Sequence, residues 1–411
     1  MKLFIAFNED VIGELFFENN QFKLNYYDEW KEKGFELSPH LKFNGSPSEN
    51  IKNFLKNLLP EGENLDDISI FLQISKYNTF GLIKEIGKDV AGAINFYSEL
   101  PQKQEKKFIE ISKEELSKKI KNINYENILV WNGKVRLSIA GVGKKLPVMI
   151  KKGKFGFGEG KYASTHILKF DKKEFHLVEN EYLTLWIAKN IGLEVNDAQI
   201  INIDGEKILV IKRFDREFNY DKINKKHIID GVQLLNMPPE YKYQKVYGEN
   251  SAIEGVTISK LSNAIEKYTK NPLKEKDKFI NWVLFNLIIG NTDAHGKNIS
   301  FYVGKEGISI TPFYDILNTS IYKEFYDTKL ALSIGDNFNL ESITYEDLLD
   351  LAYDLKIKES FLIKRLKLLL EKTQKLLNRL PNNCIDKDFK TQYVKDVCPK
   401  IEKLKKEILS Y

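Results

Sequence analysis

The sequence predicts an α+β protein in which a strand-rich part is followed by a helical part, with a smaller α+β unit in front of both. Three observations carry that expectation. Short β-branched and aromatic runs dominate residues 128–212, helical periodicity dominates the chain after Phe214, and residues 1–125 mix the two patterns. At 411 residues the chain is longer than one hydrophobic core usually serves, and its 42% hydrophobic content is enough to fill two or three.

The elements follow in order. In residues 1–125, alternating runs at Leu3–Phe7, Gly13–Phe17 and Phe22–Tyr27 read as strands. Two helical stretches follow, and Ser112-Lys-Glu-Glu115 before Leu116 is a capping box that opens a helix. In residues 126–215 the runs Ile128–Trp131, Val135–Ile139, Lys145–Ile150 and Thr165–Phe170 read as strands. Asn180–Ile191 then sets Tyr182, Leu185 and Trp186 on one helical face and stops at Gly192, and two more strands span Ala198–Ile203 and Lys207–Lys212. Residues 216–411 read as mostly helical, with helices at Thr257–Tyr268, Lys276–Ile289, Tyr345–Leu355, Glu359–Leu377 and Gln392–Leu409. The apolar stretch Phe279–Ile289 reads as a buried helix closed by Gly290, and two short strands, Ile299–Val303 and Ile308–Pro312, meet around Gly304–Gly307.

Composition excludes several classes. No apolar run reaches the 18 or more residues that a membrane span needs, and Glu9 and Asp10 interrupt the start where a signal peptide would continue apolar, so a cytoplasmic protein is expected. Two cysteines, Cys384 and Cys398, are too few for a disulfide framework or a zinc cluster. The net charge of +5 comes from 63 basic and 58 acidic residues spread along the chain, which permits contact with nucleic acid without indicating it.

The run Asn291-Thr-Asp-Ala-His-Gly-Lys-Asn298 carries the chemistry. Asp293 and Asn298 stand five residues apart, a hairpin follows, and Asp315 lies just beyond it. This is the order of a protein-kinase site, in which an Asp accepts the proton of the attacking hydroxyl while an Asn and a second Asp hold magnesium. Each polar residue alone could merely cap a helix or turn; their order after a buried helix points to phosphoryl transfer. The fold class expected is therefore a protein-kinase-like two-lobed fold. Asp293 is the candidate catalytic base, and Asn298 and Asp315 are the candidate metal ligands. Lys169, at the end of a strand, and Glu181, at the start of the next helix, are the candidate phosphate-binding lysine and its carboxylate. His295 and Lys297 lie within the run and complete the nucleotide-side set, His295 by shaping the loop. The turn Ser138-Ile-Ala-Gly-Val-Gly-Lys-Lys145 is placed to cover the phosphates through Ala140, Gly141, Val142 and Gly143; it is not a Walker A loop, since Ser138 and Lys145 occupy the positions of its first glycine and final hydroxyl. The denser glycine run Gly153–Gly160 reads as a flexible hairpin.

The chain resembles the HipA family of bacterial serine/threonine kinase toxins. The matching segments are Leu137-Ser-Ile-Ala-Gly141 with Lys145, Ser164-Thr-His-Ile-Leu-Lys169, Asn180-Glu-Tyr182, Arg213-Phe-Asp-Arg216, the run 291–298 and Thr311-Pro-Phe-Tyr-Asp315. In the N-terminal unit they are Leu37-Ser-Pro-His40, Asn57-Leu-Leu-Pro60 and Gly87-Lys-Asp-Val-Ala-Gly92. The resemblance implies a kinase that uses ATP and Mg2+ and phosphorylates an aminoacyl-tRNA synthetase, the glutamyl enzyme foremost, to stall translation. It implies a HipB-like helix-turn-helix antitoxin as partner and operator DNA reached through that antitoxin. It also implies adenine against the backbone near Lys212 and Phe214, and autophosphorylation of Ser138 as self-inactivation. Where the family loop often continues Ala-Gln-Glu-Lys, this chain has Val142-Gly-Lys-Lys145. The other function class to weigh is a catalytically weak relative that acts as an antitoxin-bound DNA corepressor; turnover of ATP by the isolated chain separates the two.

Overall fold

The computed structural model describes residues 1–411 apart from 89, 102–104, 124, 137–143, 161, 172–174, 220–221, 247–251 and 410–411. The chain divides into two compact units, one of Met1–Phe170, Asn202–Pro239 and Phe301–Ile308, the other of Asp171–Ile201, Glu240–Ser300 and Ser309–Tyr411.

The first unit begins with β1 (Lys2–Phe7), β2 (Asp10–Glu18) and β3 (Gln21–Tyr26), followed by α1 (Asp28–Lys33), α2 (Ser48–Lys56), α3 (Glu63–Leu72), α4 (Thr79–Ile86) and β4 (Ile94–Tyr97). The strands form an antiparallel sheet in the order β3-β2-β1-β4. Alternation buries Leu3 and Ile5 of β1 and Phe22 and Leu24 of β3 on its core face. Four helices stand where the sequence suggested two. α1 is only six residues long, and α3 and α4 are separate because Gln73 takes a left-handed turn before Asn78 caps the next start; neither break disturbs the apolar periodicity enough to be read.

Next come β5 (Lys106–Glu110), α5 (Lys113–Lys121), the short hairpin of β6 (Val130–Trp131) and β7 (Lys134–Val135), then β8 (Lys145–Lys151), β9 (Lys154–Gly160) and β10 (His166–Phe170). α5 opens on the Ser112–Glu115 capping box expected from sequence. After α6 (Leu177–Asn190), which belongs to the second unit, the chain runs through β11 (Ala198–Ile203) and β12 (Glu206–Lys212). Strands β12-β10-β8-β9-β5 lie side by side, all antiparallel. Gly153 sits at φ +76° in the short turn of the β8–β9 hairpin, so the hairpin expected there is present, and residues 154–160 form its regular second arm. Its alternate glycines are steric: a Cβ on Gly156 would meet the Phe108 ring at 2.5 Å and the Ile109 carbonyl oxygen at 2.4 Å, and one on Gly158 would meet the Ala163 backbone nitrogen at 2.9 Å.

The chain after Phe214 is not immediately helical. It forms β13 (Arg216–Asn219), β14 (Lys222–Lys225), β15 (Ile228–Asp230) and the single turn α7 (Gly231–Leu234). These residues return to the N-terminal part of the same unit. Asn8 and Lys225 exchange two hydrogen bonds, His227 Nε2 meets the Leu37 carbonyl at 2.8 Å, and Asn57 donates to the Met237 carbonyl at 2.9 Å.

The second unit continues with α8 (Ile258–Tyr268) and α9 (Pro272–Ile289). Past the hairpin of β16 (Ser300–Gly304) and β17 (Gly307–Ile310) come β18 (Lys329–Ile334) and β19 (Asn337–Asn339), then α10 (Tyr345–Asp354), α11 (Glu359–Leu377) and α12 (Lys387–Leu409). The helix α9 is the spine. Asn271 caps it, Pro272 occupies its first turn, where a missing N–H costs nothing, and Phe279, Trp282 and Phe285 are fully buried. Tyr393 of α12, wholly buried, shares a 2.8 Å hydrogen bond with Thr184 of α6.

Candidate active site

The loop that carries Asp293 starts where α9 ends. Gly290 closes the helix at φ +80°, the left-handed cap that favours glycine, and a Cβ there would lie 2.4 Å from Ser320 Oγ. Buried Asn291 then anchors the loop to the helix: its Nδ2 donates to Asn286 Oδ1 at 2.7 Å, and its Oδ1 accepts from the Asp293 amide at 3.2 Å. Thr292 is held by Thr319, which accepts its amide proton at 2.6 Å, and its carbonyl accepts from the Ala331 amide at 2.8 Å. A polar loop can stay fixed beside an apolar helix because its backbone groups are satisfied in this way.

Asp293 itself is exposed. Its backbone carbonyl accepts from the His295 amide at 2.8 Å and from Asn298 Nδ2 at 2.9 Å, which fixes the span from Asp to Asn. One carboxylate oxygen accepts a 2.8 Å hydrogen bond from the Tyr243 hydroxyl. Tyr243 also packs edge-on against the His295 ring, with centroids 5.0 Å apart. His295 is buried, and its Nδ1 lies 3.2 Å from the Lys297 amide, so that ring shapes the loop from within. Lys297 is buried as well, and its carbonyl accepts from Tyr314 at 2.6 Å.

Asn298 is buried with its Nδ2 committed to Asp293, which leaves Oδ1 as the atom it can offer a ligand. Asp315 is half-buried and sits at φ +54°, a left-handed conformation that costs a non-glycine residue on the order of 1–3 kcal/mol. The neighbouring chain enforces it. Phe313 donates to the Glu194 carbonyl at 2.8 Å and accepts from the Asn196 amide at 3.0 Å, and the Asn318 backbone exchanges two 2.8 Å bonds with the Asn180 side chain. Glu181 follows Asn180 directly and is buried. Glu275 on α9 holds the end of the hairpin by accepting the Ile310 amide at 2.7 Å. Among the described residues no group of three or more His, Cys, Asp or Glu could hold a metal by itself. An amide oxygen and one carboxylate suit a hard cation that keeps waters and takes phosphate oxygens for the rest of its shell, as magnesium does.

In the first unit, Lys169 on β10 lies directly opposite Lys145 on β8 and Leu209 on β12, so the two lysines share one face of the sheet. Lys212, exposed, ends β12, and the Phe214 carbonyl accepts from the Tyr302 hydroxyl at 3.1 Å. Between them Arg213 opens a buried network that sequence reading noted only as a pattern. Arg213 grips Asp215 through two bonds of 2.8 and 2.6 Å, Arg216 adds a third at 2.7 Å, and both arginines reach Ser164. Burial alone would raise the Asp215 carboxyl, but the flanking guanidiniums hold it well below the usual carboxylate range. The residues expected to form the phosphate-covering loop, Ser138, Ala140, Gly141, Val142 and Gly143, lie outside the described residues. Tyr243 was missed altogether: it lies 50 residues before Asp293, in a segment without periodicity, and no sequence signal marks it.

Comparison with known proteins matches two family models, the HipA N-terminal domain over residues 3–97 and the HipA-like C-terminal domain over residues 137–377. The serine/threonine-protein kinase toxin HipA of Shewanella oneidensis is 37% identical over 365 residues, which cover 87% of this chain and 84% of that protein. Among solved structures, one of the Shewanella oneidensis HipA, HipB and operator DNA complex aligns with a TM-score of 0.89 at 33% identity, covering 99% of this chain and 98% of the other. No helix among the described residues is long and apolar enough to cross a membrane.

Proposed function

The chain belongs to the HipA family and is a serine/threonine-protein kinase toxin of a toxin–antitoxin system, and we propose that Asp293 is the base that takes the acceptor proton while Asn298 and Asp315 hold magnesium for ATP. The observation that carries this reading is the bond from Asn298 Nδ2 to the Asp293 carbonyl, which locks a base and a metal ligand into one loop. Asp293, exposed at the mouth of that loop, can meet the hydroxyl of a protein side chain. Lys169, on the same sheet face as Lys145, is the phosphate-binding lysine of this reading, and Glu181 is the carboxylate assigned to orient it. The Lys212–Phe214 backbone is the adenine contact in this reading. Magnesium, when bound, neutralises charge on the β and γ oxygens; the chain's own part is to fix the acceptor and the base.

The substrate in this proposal is an aminoacyl-tRNA synthetase, glutamyl-tRNA synthetase first, and the partner is a HipB-like antitoxin through which the kinase reaches operator DNA. Ser138 is the proposed autophosphorylation site. A phosphate there adds a charge of roughly −2 to the loop assigned to the ATP phosphates, which repels the nucleotide. Phosphoproteomics after brief expression, with Asp293→Ala as the control, tests the substrate. A synthetase serine phosphorylated only by the parent supports the proposal, and an unchanged phosphoproteome refutes it.

A further inference from the structure

Tyr243 reaches Asp293 from a segment that the two-lobe kinase layout does not require. We propose that Tyr243 is a positioning residue for phosphoryl transfer: its hydroxyl pins one oxygen of the Asp293 carboxylate so that the other is presented to the acceptor hydroxyl. The inference rests on Asp293 being the base. An exposed aspartate is free to rotate about two side-chain bonds, and a base that must lie within hydrogen-bond reach of the acceptor loses rate when it does so. The Tyr243 hydroxyl, 2.8 Å from Oδ1, is the only group among the described residues that hydrogen-bonds this carboxylate.

The surroundings show that the contact is built rather than incidental. The Lys242 carbonyl accepts from the Gly296 amide at 2.9 Å, inside the same loop as Asp293. The Gln244 amide donates to the Ala331 carbonyl at 3.0 Å, and Ala331 in turn donates to the Thr292 carbonyl at 2.8 Å. Gln244 Oε1 accepts from both the amide and the hydroxyl of Ser333, at 2.9 and 3.0 Å. The residues on either side of Tyr243 are thus bonded to the catalytic loop or to the strand behind it. Gly255 closes the clamp: its amide donates to the Gln244 carbonyl at 3.0 Å, and a Cβ there would fall 2.0 Å from the Tyr243 carbonyl oxygen. Any larger residue at 255 must push Tyr243 away.

The test compares the parent, Tyr243→Phe, Gly255→Ala and Asp293→Asn, using a protein substrate labelled from ATP. Tyr243→Phe keeps the ring against His295 and removes only the hydroxyl. Its kcat should fall roughly tenfold with ATP affinity unchanged. General loosening of the fold would weaken ATP binding along with kcat, so the split between the two is the readout that a merely structural role does not give. Gly255→Ala, which keeps the hydroxyl and displaces it, should lower kcat in the same direction. If Tyr243→Phe keeps the parent kcat while Asp293→Asn is inert, the positioning role is wrong and the base assignment stands. If Asp293→Asn is as active as the parent, the base assignment fails and the role of Tyr243 falls with it.

Discussion

Asn298 donates from Nδ2 to the backbone carbonyl of Asp293 at 2.9 Å, so the proposed metal ligand and the proposed base move as one piece. The two ends of the Asn298 side chain then have separable jobs. Asn298→Ala removes both the oxygen ligand and the N–H donor, whereas Asn298→Asp keeps an oxygen for magnesium and loses the donor. Both should slow phosphoryl transfer, but only Asn298→Ala should clearly weaken magnesium-dependent ATP binding. Titrations with and without magnesium check this, and equal binding losses in the two variants would contradict it.

Asp315 offers a second dissection of charge from shape. Asparagine tolerates the left-handed φ of +54° about as well as aspartate, so Asp315→Asn preserves the backbone and deletes the charge. Its magnesium-dependent ATP affinity should drop on the order of tenfold with the thermal midpoint little changed. A variant that binds Mg-ATP as tightly as the parent moves the metal site elsewhere.

The Arg213–Asp215–Arg216 network should behave as a structural unit. Asp215→Asn leaves two buried guanidiniums facing an amide and should destabilise the fold by roughly 3–5 kcal/mol near pH 7. The carboxyl is depressed in the folded state, so its contribution is present above the ordinary carboxylate value of about 4 and is lost as pH falls below it. Denaturation midpoints of parent and variant should therefore converge in acid. A gap that persists unchanged below pH 4 would contradict this.

His227 sets a second, milder acid limit. Burial lowers it to about 4 from an ordinary 6.5, partly opposed by its bond to the Leu37 carbonyl. Between those values the unfolded chain binds the proton and the folded chain does not, so stability falls as pH drops from 6.5 towards 4, by up to ~3 kcal/mol. His166 is lowered to about 4 by burial and the positive charge of Lys212, and acts in the same direction. His227→Gln should flatten the slope of chemical stability against pH in this window, and an unchanged slope would remove His227 as its source.

How much of this was legible in the sequence depends on what each element relies on. α11 occupies Glu359–Leu377, the bounds that its periodicity suggested, because a long amphipathic helix is specified locally. α9 starts four residues earlier than read: Asn271 and Pro272 form its cap and first turn, a signal that was available and went unused. α12 likewise begins five residues before the expected Gln392, at Lys387. The β8–β9 hairpin was legible from its glycines, but the steric need for Gly156 was not, because it answers to Phe108 on β5, which is distant in sequence. The Asp293–Asn298 spacing was readable since both residues lie in one loop. Tyr243 was not, because its bond to Asp293 depends on tertiary contacts through Gly255, Gly296 and Ala331.

The most direct measurement of the central claim is single-turnover phosphoryl transfer to protein by Asp293→Asn, with its ATP affinity determined in parallel. The amide keeps the shape and cannot take the acceptor proton. The rate should fall by ~10²–10⁴-fold while ATP binding is retained; transfer at the parent rate would contradict the assignment of Asp293 as the base.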